Sequence, residues 1–139
     1  MEIILLIATF FVGLLTLIVM DYLWLGRIIH DFIRQQFGSL VEVNNGSIKI
    51  NLFYGLITWA VISIGCLFFA TFRGESGLEV LLYGMLFGFV LYFTYDFTSL
   101  TFIKNYPLKF AVIDVAWGTV LCGVVSLVSF LFYSFVIGL

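Results

Sequence analysis

The chain reads as an all-α integral membrane protein: a bundle of four transmembrane helices with an amphipathic interfacial segment after the first. Three observations predict this. Of 139 residues, 63% are hydrophobic and 10% are charged, where a soluble domain carries about a quarter of its residues as Asp, Glu, Lys or Arg. The mean hydropathy is +1.22. Four apolar stretches each reach the ~20 residues that a helix needs to cross a hydrocarbon core. Six basic and eight acidic residues are too few to solvate a globule of this size. A soluble enzyme and a disordered linker are excluded. So is a nucleic-acid binder, because that function wants a basic excess and the net charge is −2.

The elements follow in order within one transmembrane domain, 1–139. The first span covers about 3–25. It begins after Met1-Glu2 with no basic stretch, outruns a signal-peptide core and is followed by no small-residue cleavage site, so it is expected to be retained. An interfacial segment follows at about 27–43. There Ile28, Ile29, Phe32, Ile33, Phe37, Leu40 and Val41 recur at roughly helical spacing, with Arg27, Asp31, Arg34 and Gln35 between them. Asn44-Asn45-Gly46 predicts a turn. The second and third spans, about 52–72 and 78–102, are joined by the tight connection Arg73–Gly77. The fourth, about 110–137, follows Lys104–Lys109, where Pro107 suits a helix start because its missing N–H does no harm there. None of the runs alternates as a barrel strand does. Cys66 and Cys122 lie inside apolar runs, so no disulfide framework is implied.

Orientation follows from the basic residues. Arg27, Arg34, Lys49, Lys104 and Lys109 share the side of the first and third connections, and Arg73 stands alone on the other. The positive-inside rule places the larger group in the cytoplasm and both termini outside.

Helices in lipid associate through close packing and hydrogen bonds, so small and polar residues should mark the inward faces. Each span offers some: Thr9, Gly13 and Thr16; Gly55, Thr58, Gly65 and Cys66; Gly84 and Gly88; Gly118, Cys122, Ser126 and Ser129. The Gly84/Gly88 pair points to tight packing inside one bundle more than to dimerisation.

Three carboxylates need a reason, because an ionisable group at membrane depth costs several kcal/mol. Asp21, Asp96 and Asp114 all fall toward the same end, and none of these spans carries Lys, Arg or His near them. Asp96 and Asp114 are equidistant from Asn105, so a helical hairpin would set them at one depth, roughly 7–13 Å inside. Tyr92 and Ser99 share the face of Asp96, with Tyr95 and Thr98 beside it, while Asn51 and Tyr54 enter from the second span at that level. Trp24 and Trp117 each follow an aspartate by three residues and could donate an indole N–H to a carboxylate on the same or a neighbouring helix. One such aspartate is more often structural than functional. Three at one level without a cation are harder to dismiss, because close like charges in a low dielectric cannot all ionise. The candidate pocket is therefore Asp21, Trp24, Asn51, Tyr54, Tyr92, Tyr95, Asp96, Thr98, Ser99, Asp114 and Trp117, with no metal and no cofactor expected.

Tyr92-Phe-Thr-Tyr95-Asp96-Phe-Thr98, Asn105-Tyr-Pro107, Asp114-Val-Ala-Trp117-Gly118 and Asp21-Tyr-Leu-Trp24-Leu-Gly26, with Phe32-Ile-Arg34-Gln-Gln-Phe-Gly38 in the first connection, cover nearly the whole chain. Together they resemble a family of small bacterial membrane proteins known as a domain of unknown function. Ser99 stands where that family's pattern has Asn, and Tyr106 where it has Trp. The resemblance implies a four-helix protein of the bacterial inner membrane with no established substrate. It also implies a neighbourhood of lipid-modifying enzymes.

Three functions fit these residues. A binding or transport module would take a proton or a small cationic or polar ligand at the carboxylates from the cytoplasmic side, with a homo-oligomer needed for alternating access. A lipid-modifying enzyme, or its accessory subunit, would use Asp96 and Asp114 as an acid/base pair. It would do so without any nucleophile-plus-base signature or phosphate loop in the sequence. An assembly protein would use its basic face on anionic lipids. Membrane lipids are the expected partners in each case. Of the three, binding or transport suits the carboxylate cluster best.

Overall fold

The computed structural model describes residues 2–44 and 47–138, and the predicted turn at Asn45 and Gly46 lies outside them. Four long apolar helices pack as a bundle. α1 runs Glu2–Leu23 and continues as a π-helical turn, Trp24–Ile28. A short helix α2, His30–Phe37, leads through a 3₁₀ turn, Gly38–Leu40, into strands β1, Val43–Asn44, and β2, Ser47–Ile48. The other three helices are α3, Leu52–Cys66, with a π-helical turn at Leu67–Thr71; α4, Gly77–Phe102; and α5, Leu108–Ile137. Four of these units are long and apolar enough to cross a membrane: Glu2–Ile28, Leu52–Thr71, Gly77–Phe102 and Leu108–Ile137.

The first connection differs from the single amphipathic segment expected at 27–43. The helical pattern breaks at Gly38, whose φ of 53° is open to glycine and strained for the residues around it. Beyond it the chain pairs antiparallel, Val43 with Ile48 and Asn44 with Ser47. His30 fastens this hairpin to α2, because its Nε2 accepts the Ile48 N–H at 3.2 Å while Nδ1 lies 3.1 Å from the Asp31 carboxylate.

Local chemistry sets the helix starts. Asn51 Oδ1 accepts from the N–H groups of Phe53 and Tyr54 at 3.1 and 3.5 Å, capping α3. Ser76 Oγ accepts from Glu79 N at 3.3 Å, capping α4, and Glu79 Oε2 accepts from Glu75 N at 2.9 Å just ahead of it. Pro107 precedes α5 with φ −77°, a position that needs no donor.

α5 is the central helix, packed on α4 along most of its length, on α1, and on α3. Its small residues make this possible. A Cβ on Gly84 would stand 2.6 Å from the Cys122 carbonyl oxygen, and one on Gly88 would collide with that of Gly118. The Gly84/Gly88 pair is thus taken up against α5 of the same chain, where backbones approach as small-xxx-small faces allow. Leu17, Ile62, Cys66, Leu121, Cys122 and Val125 form the apolar centre. At the end away from the aspartates, the π-turn of α3 carries Thr71 into the bundle, where its hydroxyl donates to the Ser126 carbonyl at 3.2 Å.

Replacing Gly88 with Leu should therefore lower the melting temperature of the purified protein sharply, an overpacking cost of about 2 kcal/mol or more. Gly55→Ala, where a Cβ would meet only the Trp59 ring at 3.7 Å, should leave it nearly unchanged.

Candidate functional site

The three aspartates are held in different ways: both oxygens of Asp21 have indole donors, one oxygen of Asp96 accepts a hydroxyl, and Asp114 lines a groove.

Asp21 is 7% exposed. Its Oδ2 accepts the indole N–H of Trp59 on α3 at 2.8 Å, and its Oδ1 accepts that of Trp117 on α5 at 2.9 Å. One carboxylate on α1 thus ties three helices together, and both of its oxygens have donors. Trp24 does not donate to it. The Trp24 ring stacks on Trp117 at 4.3 Å between centroids with 4° between planes, and its own buried N–H finds no partner among the described residues. An indole is a donor only, so this arrangement can hold a carboxylate but cannot pass a proton onward.

Asp96 is 0% exposed. Its Oδ1 accepts the Tyr106 hydroxyl at 2.7 Å, folded back from the short connection between α4 and α5. Its Oδ2 is buried and receives nothing from any described residue. Asp114 of α5 stands near it. The connection of 103–107 brings the two together, with Asn105 at φ 60°, a left-handed position that Asn tolerates. Tyr106 lies outside the spans. Burial, then its bond to Asp96, pushes its phenol well above the ordinary tyrosine range, so it stays a donor. Phe37 of α2 and Phe110 of α5 hold the ring edge-on at 5.7 and 6.3 Å.

Asp114 is only partly covered. It lies in a groove of about 410 Å³ between α3 and α4, lined otherwise by Ile57, Thr58, Val61, Ile62, Leu91, Tyr92 and Tyr95. The groove exists because α3 and α4 meet near Gly65, where the Phe87 ring fills the place of a Cβ, and scarcely touch toward the aspartate end. All its lining residues lie within spans, so it opens sideways into the region that lipid occupies.

The remaining candidates have other partners or other faces. Tyr92 packs its ring over Gly118 and against the apolar centre. Tyr95 is 64% exposed at the groove's edge. Ser99 donates to the Tyr95 carbonyl of its own helix at 2.8 Å. Asn51 caps α3, Tyr54 stands edge-on to Phe53 on the outside, and Thr98 is exposed.

Two residues that hold carboxylates were missed as site residues, Trp59 and Tyr106. Trp59 carried a usable signal. It falls seven residues into its helix, deeper than an interfacial belt, where a buried N–H must find an acceptor. Tyr106 carried none, because only the fold of its connection turns it inward.

Four apolar helices around a partly unsatisfied carboxyl pair define a multi-pass α-helical membrane protein with a polar site in its interior. The chain belongs to the family described as predicted membrane protein DUF2177, which matches residues 6–131. No curated protein and no solved structure matches it.

Trp59→Phe and Trp117→Phe should each destabilise the bundle by about 1–3 kcal/mol, the cost of leaving one buried acceptor unpaired. A double-mutant cycle with Asp21→Leu, read by thermal unfolding in detergent, should return a coupling of about 1 kcal/mol or more with either indole. Additive effects would mean that the contacts contribute nothing.

Proposed function

We propose that this protein is a binding or transport module of the bacterial inner membrane, which takes a proton or a small cation at Asp96 and Asp114. The observation that carries the reading is the buried Asp96 Oδ2 with no donor, beside a second carboxyl group that opens onto a groove. Two ionised carboxylates offer each other only acceptors, and their repulsion in a low dielectric is large. The contact is relieved by one shared proton or one bound cation, and exchange between these is the elementary step of proton-coupled binding. No Lys, Arg or His lies between the terminal turns of the four long helices, and none lines the groove beside Asp114.

Asp21 has a different part. With both oxygens held by indoles it fixes α1, α3 and α5 around the pair. The side carrying Arg27, Arg34, Lys49, Lys104 and Lys109 is the cytoplasmic side by the positive-inside rule. This puts both termini outside and the pair nearer the cytoplasmic leaflet. Membrane lipids surround the bundle as partners, and a second copy would supply the moving surface that four helices lack for alternating access.

In lipid nanodiscs at low buffer strength, methylammonium should bind and release about one proton per protein as the cation displaces it. Asp114→Asn and Asp96→Asn each place an amide donor beside the remaining carboxylate. Each should keep the melting temperature while losing binding by about tenfold or more, together with the proton release. Binding and release that survive in both variants would end this reading.

A further inference from the structure

We propose that the groove beside Asp114 is the binding site of a long-chain amphiphile bearing an amine directly on a single chain, with the ammonium group on the Asp114 carboxylate and the chain along α3 and α4. The proposal rests on the reading of Asp96 and Asp114 as a cation-binding pair and names the class of molecule that brings the cation.

Four features select this occupant. First, the groove wall is apolar except for one carboxyl group and the polar tips of Thr58, Tyr92 and Tyr95. A phosphate or carboxylate head at Asp114 would meet like charge with no cation in the groove lining to offset it, and a neutral head would leave the pair unbalanced. Second, the polarity runs in the direction an amphiphile takes in a leaflet. Asp114 is six residues into α5, roughly 9 Å along the axis. Leu91 is eleven residues from the end of α4, roughly 16 Å deep. Asp114 therefore lies at the shallow end beside Ile57 and Thr58, and the apolar wall of Val61, Ile62 and Leu91 runs deeper. Third, a volume of about 410 Å³ suits one drug-sized molecule or one chain, and is small for a two-chain lipid. Fourth, the opening is lateral, between helices that part toward the aspartate end, so a molecule dissolved in the bilayer reaches Asp114 without crossing water. The Tyr95 ring, seven residues from the end of α4 and so close to the level of Asp114, adds aromatic surface of the kind that attracts an alkylammonium.

The test compares variants in nanodiscs by calorimetry, with dodecylamine as the long cation, methylammonium as the short one and dodecanol as the neutral chain. Partition into the bilayer concentrates dodecylamine around every variant alike, so the difference between variants carries the information. Val61→Trp and Leu91→Trp fill the groove, each serving as the check on the other should one fail to fold by its melting temperature. Dodecylamine binding should weaken by about tenfold or more in both, methylammonium binding should persist, and Asp114→Asn should lose both ligands. Unchanged dodecylamine binding in the filled variants would overturn the proposal, while retained methylammonium binding would leave the cation pair standing. Dodecanol binding as tightly as dodecylamine, in wild type and in Asp114→Asn, would also overturn it, since the carboxylate would then anchor nothing. Loss of a dimer in both filled variants, with dodecylamine binding intact, would assign the groove to a second copy of this chain. Absence of methylammonium binding in the wild type would remove the cation pair and this proposal together.

Discussion

A carboxylate buried among apolar helices cannot be left without donors, and the way Asp21 meets that requirement sets the frame of the bundle. Its two oxygens accept one indole N–H each from α3 and α5. Hydrogen bonds to a charged group contribute about 1.5–3 kcal/mol apiece, and in a bilayer, where apolar surface gives helices no preference for each other over lipid, such bonds decide which faces meet. Moving α1 relative to α3 or α5 would break one of them. The stacking of Trp24 on Trp117 fixes the second indole further. The outcome is a three-helix corner at the aspartate end of the bundle.

α4 joins that corner by a different principle. Its contact with α5 depends on the absence of side chains. Gly84 and Gly88 lie against the carbonyls of Cys122 and Gly118, so two backbones approach closely enough for dispersion and weak Cα–H contacts to hold them. A short connection with one left-handed residue, Asn105, then sets Asp96 beside Asp114. The two aspartates of this hairpin and the one on α1 look alike in sequence, yet their environments separate them. Asp21 is fully bonded, Asp96 is half bonded and sealed beneath Tyr106, and Asp114 faces a groove. Residues of one type thus come to stand in different environments, set by the donors that reach them.

Much of this was legible beforehand in specific residues. The long apolar runs predict the four helices, because crossing a hydrocarbon layer demands both length and internal hydrogen bonding. The equal spacing of Asp96 and Asp114 about Asn105 predicts their shared depth, since an antiparallel hairpin preserves register. An indole donor for a carboxylate on the same or a neighbouring helix is also expected, and one of the two named indoles fills that role. Trp117 serves Asp21 across helices and not the aspartate on its own helix, while Trp24 serves none. Helical periodicity says which residues share a face. It does not say which neighbour that face meets.

Composition and run length settle the solvent, the number of spans and the presence of more acid than lipid would tolerate unsatisfied, because these are sums along the chain. Tertiary structure alone decided which aspartate is closed and which is open. That depends on how far α3 and α4 diverge, on where the 103–107 connection turns the Tyr106 hydroxyl, and on Trp59 arriving from a helix distant in sequence. Each of these is a matter of distances between elements, set by the packing of glycines and indoles against partners that no local pattern identifies.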